Sequence, residues 1–169
     1  MKIDVLGLGE SLREYKPSKN KTIGVNDIFK HHKVDYLVCV DKPNRFAKDR
    51  LKTIIDSDVE KFYTHLNEWS KLKTRTQIIK LNGIRGSLKG IEEDAVCYSN
   101  NSTFVAVVIA YKIGATQINI FGADFNTHPN FKNELLETAL NDFEKLFDYL
   151  KSKGVEINVS KGSRLNEIV

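Results

Sequence analysis

Lys2-Ile3-Asp4-Val5-Leu6, a short run of strand formers, turns at once into Gly7-Leu8-Gly9-Glu10-Ser11-Leu12. The junction reads as a first β-strand ending in a glycine turn that feeds a helix. In an α/β sheet such a turn exposes backbone N–H groups at the positive end of a helix dipole, which favours an anion, most often a phosphate. Glycine permits φ > 0 and lets a ligand approach the backbone with no Cβ in the way. Ser11 would cap the helix or donate its hydroxyl to the same ligand. Leu12 stands where the dinucleotide fingerprint has a third glycine or alanine, and no G-K-[ST] is present, so neither that motif nor a P-loop is complete. A tight turn without a ligand accounts for the same residues, and the rest of the chain must decide.

At 169 residues the chain suits one domain, residues 1–169, with a sizeable core. With 26 Lys and Arg against 22 Asp and Glu, the net charge of +4 is mild and well mixed. It fits a site for small anions at least as well as a nucleic-acid surface, and no basic run with interleaved aromatics marks a nucleic-acid stripe. Cys39 and Cys97 are too few and too far apart for a metal motif or a disulfide framework. Asp4 and Glu10 interrupt any leader-like apolar stretch, and no segment reaches the length of a membrane span. A soluble, cytoplasmic protein with no integral membrane segment is the expectation.

Beyond the turn, Thr22 to Val25 reads as a strand ending at Asn26-Asp27, and Ile28 to His32 as a brief helical segment. Asp35 to Asp41 reads as a buried strand closed by Asp41 and Pro43, and Asn44 to Ile55 as a surface helix. Lys61 to Thr64 and Gln77 to Leu81 look like strands, with Trp69 in a helix or loop between them. Asn82 to Asp94, with Gly83, Gly86 and Gly90, looks like an exposed and mobile loop. Ser99 to Thr103 forms a polar cap ahead of a continuously apolar helix, Phe104 to Tyr111, which should be buried on most of its surface. Gln117 to Phe121 is the next strand, ending at Gly122-Ala123-Asp124-Phe125. An amphipathic helix follows from about Phe131 to Ser152, and Val155 to Val159 makes a last strand. This alternation predicts a single Rossmann-like α/β domain, mainly parallel, with helices on both faces.

In that architecture ligands sit outside the carboxyl ends of the strands, at the switch point in strand order. The residues there are Gly7 to Ser11, Asn26 with Asp27, Asp41, and Gly122 through His128, with Ser102 and Thr103 opening a helix nearby. Small, amide, hydroxyl and acidic side chains in such a row are what a nucleotide site needs, although each Asn or Asp is also a turn former. His128 is the histidine nearest the expected site, and an imidazole suits a base near neutral pH. His31, His32 and His65 fall on polar segments and read as surface residues. Asp41 or Asp27 would be the Mg²⁺ ligands of a polyphosphate site.

Gly7-Leu8-Gly9-Glu10-Ser11-Leu12, Gly24-Val25-Asn26, Ser102-Thr103 leading into Ala110-Tyr111-Lys112-Ile113-Gly114-Ala115, and Ile118-Asn119-Ile120-Phe121-Gly122-Ala123-Asp124-Phe125 resemble bacterial sialyltransferases of the Campylobacter type. They are also similar to Rossmann-like proteins related to archaeal 6-hydroxymethylpterin diphosphokinase. The sialyltransferase resemblance implies a nucleotide-dependent transferase with a CMP-linked sugar as donor and no required cofactor. It implies that the glycine loop, Gly7 and Gly9 with Glu10 and Ser11, and Asn26 hold the nucleotide, with Ser102 or Thr103 helping at its carboxylate or phosphate. The strand-end reading adds Asp27, Asp41 and Gly122 to that site and makes His128 and Asp124 the catalytic candidates. The diphosphokinase resemblance implies Mg²⁺-dependent pyrophosphoryl transfer instead. Those sialyltransferases carry a lid of several dozen residues after the Gly-x-Asp-Phe strand, where this chain has Asn126 to Asn130. A nucleotide-binding module without catalysis, or a pocket completed by a second subunit in a homo-oligomer, would follow from that.

Overall fold

The computed structural model describes residues 1–126 and 132–169. Seven strands, β1 (Lys2–Leu6), β2 (Lys21–Val25), β3 (Tyr36–Val38), β4 (Lys61–Thr64), β5 (Thr76–Ile78), β6 (Gln117–Phe121) and β7 (Glu156–Val159), form one sheet in the order β5-β4-β3-β2-β1-β6-β7. Every pairing is parallel, with Leu6 opposite Gly24 on one side and Phe121 on the other. All seven carboxyl ends therefore open on one edge, and the order reverses between β1 and β6. A crevice for a ligand belongs at that reversal.

Helices α2 (Ser102–Lys112) and α3 (Asn133–Ser152) cover one face. Residues Thr103 to Ala110 are all buried, which explains an apolar sequence with no polar side: α2 is wedged between the sheet and the rest of its layer. The amphipathic α3 buries Leu136, Ala139, Leu140, Phe143, Leu146, Phe147 and Leu150 on the spacing of one helical stripe. Helix α1 (Lys48–Asp56) and several 3₁₀ turns cover the other face. There Leu6, Leu37, Phe62 and the fully buried Trp69 form a second core. The fold is thus the single α/β domain expected, with helical layers on both faces.

Three expectations are revised. The segment after the glycine turn, Glu10–Glu14, is a 3₁₀ turn, not a full helix, because Pro17 lies close behind and disfavours helical backbone before it. The surface helix starts at Lys48, after a separate 3₁₀ turn at Pro43–Arg45. The glycine-rich loop is tethered: Leu81 bridges Val96, Gly86 N–H donates to the Tyr98 carbonyl at 2.8 Å, and Ser99 Oγ donates to the buried Asp142 carboxylate of α3 at 2.6 Å.

Candidate functional site at the carboxyl edge of the sheet

At the β1/β6 reversal the two chains approach so closely that a side chain fits on neither. A Cβ on Gly7 would overlap the Gly122 carbonyl oxygen, and one on Gly122, at φ 70°, would overlap the Gly7 carbonyl. Gly7 N–H donates to the Phe121 carbonyl at 2.7 Å and Gly9 N–H to the Gly122 carbonyl at 2.8 Å. The two glycine amides expected to meet a phosphate are instead bonded within the fold. Ser11 N–H donates to Asp124 Oδ2 at 2.9 Å, and the Ser11 hydroxyl donates to Asp124 Oδ1. The anion seated on this turn is therefore the protein's own Asp124 carboxylate.

Ser11 has no capacity left for a ligand. Its buried oxygen also accepts from Gly122 N–H at 3.0 Å and from Ser160 Oγ at 2.8 Å. It is not the cap either, since Gly9 occupies that position and provides no side-chain bond. Asp124 accordingly fastens β1 to β6, which differs from the catalytic role expected of it. Glu10 is exposed beside this network.

Thr103 closes the crevice from above. A Cβ on Gly7 would lie 3.0 Å from Thr103 Oγ1, so the first turn of α2 stands directly over the glycine contact. Asn101 caps that turn, accepting from Thr103 N–H at 2.8 Å and Phe104 N–H at 3.3 Å. Ser102 is half-buried at the positive end of the helix.

Along the edge from there, β2 ends in Asn26, whose φ of 51° puts it in the left-handed region. Its N–H donates to the Val38 carbonyl at 3.0 Å, which locks the turn. The Asn26 Oδ1 atom is buried and has no hydrogen-bond partner among the described residues. Leaving a buried acceptor unpaired costs about 1–3 kcal/mol, so the arrangement suits a ligand that brings a donor.

Asp27, next in the chain, is buried and held by a two-pronged Arg50 contact at 3.0 and 2.7 Å, with Lys30 at 3.6 Å. Burial pushes its carboxyl up, but the Arg50 hydrogen bonds and charge outweigh that and hold it below the usual carboxylate range. Its charge is spent inside the fold, so it does not serve as the Mg²⁺ ligand considered above. Asp41, after β3, is exposed, and its backbone carbonyl accepts from Trp69 Nε1 at 2.9 Å. Among the described residues no group of three or more His, Cys, Asp or Glu could hold a metal ion. His128 lies outside the described residues.

The sequence reading misplaced His65. It follows the last residue of β4, is half-buried, and its Nδ1 is buried without a hydrogen-bond partner among the described residues. The signal was available: His65 ends a strand as Asn26 and Asp41 do, but the charged segment around it pointed to the surface.

The carboxyl edge thus brings together Gly7, Gly9, Gly122, Thr103 and Ser102 at the reversal, then Asn26, Asp41 and His65 on successive strands. No protein-family profile and no curated protein matches the sequence. Solved structures do match in fold. The α-2,3/8-sialyltransferase CstII aligns over 100% of this chain and 85% of its own, at 15% identity and a TM-score of 0.62. CstII from Campylobacter jejuni with the substrate analogue CMP-3FNeuAc aligns over 99% and 84%, at 14% identity and a TM-score of 0.61. The same enzyme with a trisaccharide acceptor and CMP aligns over 100% and 85%, at 14% identity and a TM-score of 0.62. These neighbours carry the sialyltransferase fold across the whole chain and lend nothing to the pterin diphosphokinase resemblance. Among the described residues no helix is long and apolar enough to cross a membrane.

Proposed function

We propose that the chain is a sialyltransferase-like, nucleotide-dependent transferase whose carboxyl-edge crevice binds a CMP-linked sugar without metal. The observation that carries this reading is the unpaired, buried Asn26 Oδ1 beside the β1/β6 reversal, in a fold shared with sialyltransferases solved with CMP and a CMP-sugar analogue. Asn26 accepts a hydrogen bond from the ligand, and its locked backbone holds the amide in place before binding. Ser102 and Thr103 at the positive end of α2 face the anionic groups of the donor. Gly7, Gly9 and Gly122 shape the floor, with Ser11 and Asp124 beneath them as a fixed clasp. Glycosyl transfer breaks the bond between the sugar's anomeric carbon and the phosphate oxygen. It forms one to the acceptor oxygen, whose proton goes to a base, and CMP leaves with the bonding electrons. His128 is proposed as that base.

A thermal-shift panel tests the reading. CMP at about 100 times its dissociation constant adds roughly 2.7 kcal/mol, a rise of about 5–11 °C for a domain of this size. The expected result is a rise with CMP in EDTA, smaller with UMP and AMP. A response to ATP that needs Mg²⁺, with none to CMP, overturns it in favour of pyrophosphoryl transfer.

A further inference from the structure

Among the described residues three buried side-chain atoms lack a hydrogen-bond partner: Asn82 Oδ1 in the glycine-rich loop, and Asn26 Oδ1 and His65 Nδ1 directly after strands at the carboxyl edge, of which the proposed nucleotide site uses only Asn26 Oδ1. The backbone around His65 is held in place from both sides. The preceding Thr64 is fully buried, its hydroxyl accepts from Leu66 N–H at 3.2 Å, and its carbonyl accepts from Ile79 N–H at 2.7 Å. Trp69 ties the following 3₁₀ turn, Asn67–Lys71, to the Asp41 carbonyl at 2.9 Å, so the segment leaving β4 lies against the segment leaving β3. The backbone on either side of His65 is thus fixed, and a buried ring nitrogen left unbonded there is an exception that suits a partner from outside the chain.

The charged groups facing the imidazole are Asp41 and Glu68, which favour its protonation, while burial opposes it and prevails, leaving its pKa below the ordinary histidine value. The ring is therefore neutral at pH 7 and offers a hydrogen bond, not a charge, to its partner. His65 stands two strands beyond Asn26 in the order β4-β3-β2, and strands lie about 4.8 Å apart, so the two sites are separated by roughly 10 Å. A ligand held at Asn26 must span that distance to reach β4, and a nucleotide carrying a sugar is long enough to do so.

We propose that His65 is a specificity residue that hydrogen-bonds through Nδ1 to a hydroxyl of the transferred sugar. This rests on the CMP-sugar reading above. The test compares CMP with CMP-3FNeuAc, by calorimetry on wild type, His65→Ala and His65→Asn, and by following the ring nitrogens of wild-type His65 in NMR. The expected result is that CMP binds all three proteins equally, whereas CMP-3FNeuAc binds His65→Ala about tenfold more weakly than wild type, as one hydrogen bond requires, with partial recovery in His65→Asn. The Nδ1 resonance of wild type should move with CMP-3FNeuAc and stay in place with CMP, a readout that needs no variant to fold. If both ligands bind wild type while His65→Ala and the ring resonance are indifferent to the sugar, the His65 assignment falls and the nucleotide site stands. If His65→Ala weakens CMP equally, the contact is to the nucleotide and the sugar assignment falls. If neither ligand binds wild type, both readings fall together.

Discussion

Gly7 and Gly83 are the same residue type under opposite constraints. A Cβ on Gly7 meets backbone that has no room to move, whereas Gly83 has nothing within 4 Å of the equivalent position. Gly7→Ala should cost about 3 kcal/mol in urea unfolding, and Gly83→Ala should be neutral or stabilise by up to about 1 kcal/mol. Ser11→Ala leaves the Gly122 N–H and the Ser160 hydroxyl buried without their acceptor and should cost about 1–3 kcal/mol with no new cavity of note. In the proposed site, Asn26 would exchange stability for binding. Its left-handed backbone suits glycine better than asparagine, so Asn26→Gly should raise stability by roughly 1 kcal/mol while weakening the ligand.

At the scale of elements, the clasp between α1 and the end of β2 depends on a charge. Arg50 of α1 grips Asp27, whose carboxyl is held below its ordinary value, so the folded state takes up that proton less readily than the unfolded chain. The bridge therefore contributes fully above about pH 4, the ordinary Asp value, and its contribution is lost as pH falls through the depressed folded pKa. Denaturant titrations should show wild type losing stability on acidification in that window, with the loss reduced in Asp27→Asn. The elements readable in the sequence were those with a long or unambiguous pattern. The stripe of α3 and the closed apolar run of α2 survive intact, and Lys61 to Thr64 and Gln117 to Phe121 are strands as read. What escaped were features decided by partners distant in the chain. Asp124 reached Ser11 before any phosphate could, which no local pattern at Gly7 to Leu12 announces. The glycine-rich loop is pinned because Gly86 packs against Asp142, where any side chain would collide, and that contact is invisible in the loop's own composition. Of the candidate site, the strand-end residues were legible by position. Their division into paired groups such as Asp27 and unpaired ones such as Asn26 needed the fold.

Across the whole molecule, a fully parallel sheet places every strand end on one edge, and the order reverses there between β1 and β6, where such folds bind their ligands. The glycine contact, with Ser11 and Asp124 locked beneath it, makes a rigid floor, and the first turn of α2 stands over it. Two of the buried polar atoms without partners among the described residues, on Asn26 and His65, lie along the same edge. The proposed metal-independent CMP site along this edge turns on Asn26. Calorimetric titration of CMP in EDTA into wild type and Asn26→Gly addresses it directly. The expected result is one CMP per chain on wild type and at least about tenfold weaker binding to a more stable Asn26→Gly. Equal affinity for the two proteins, or no heat of binding to wild type, would contradict it.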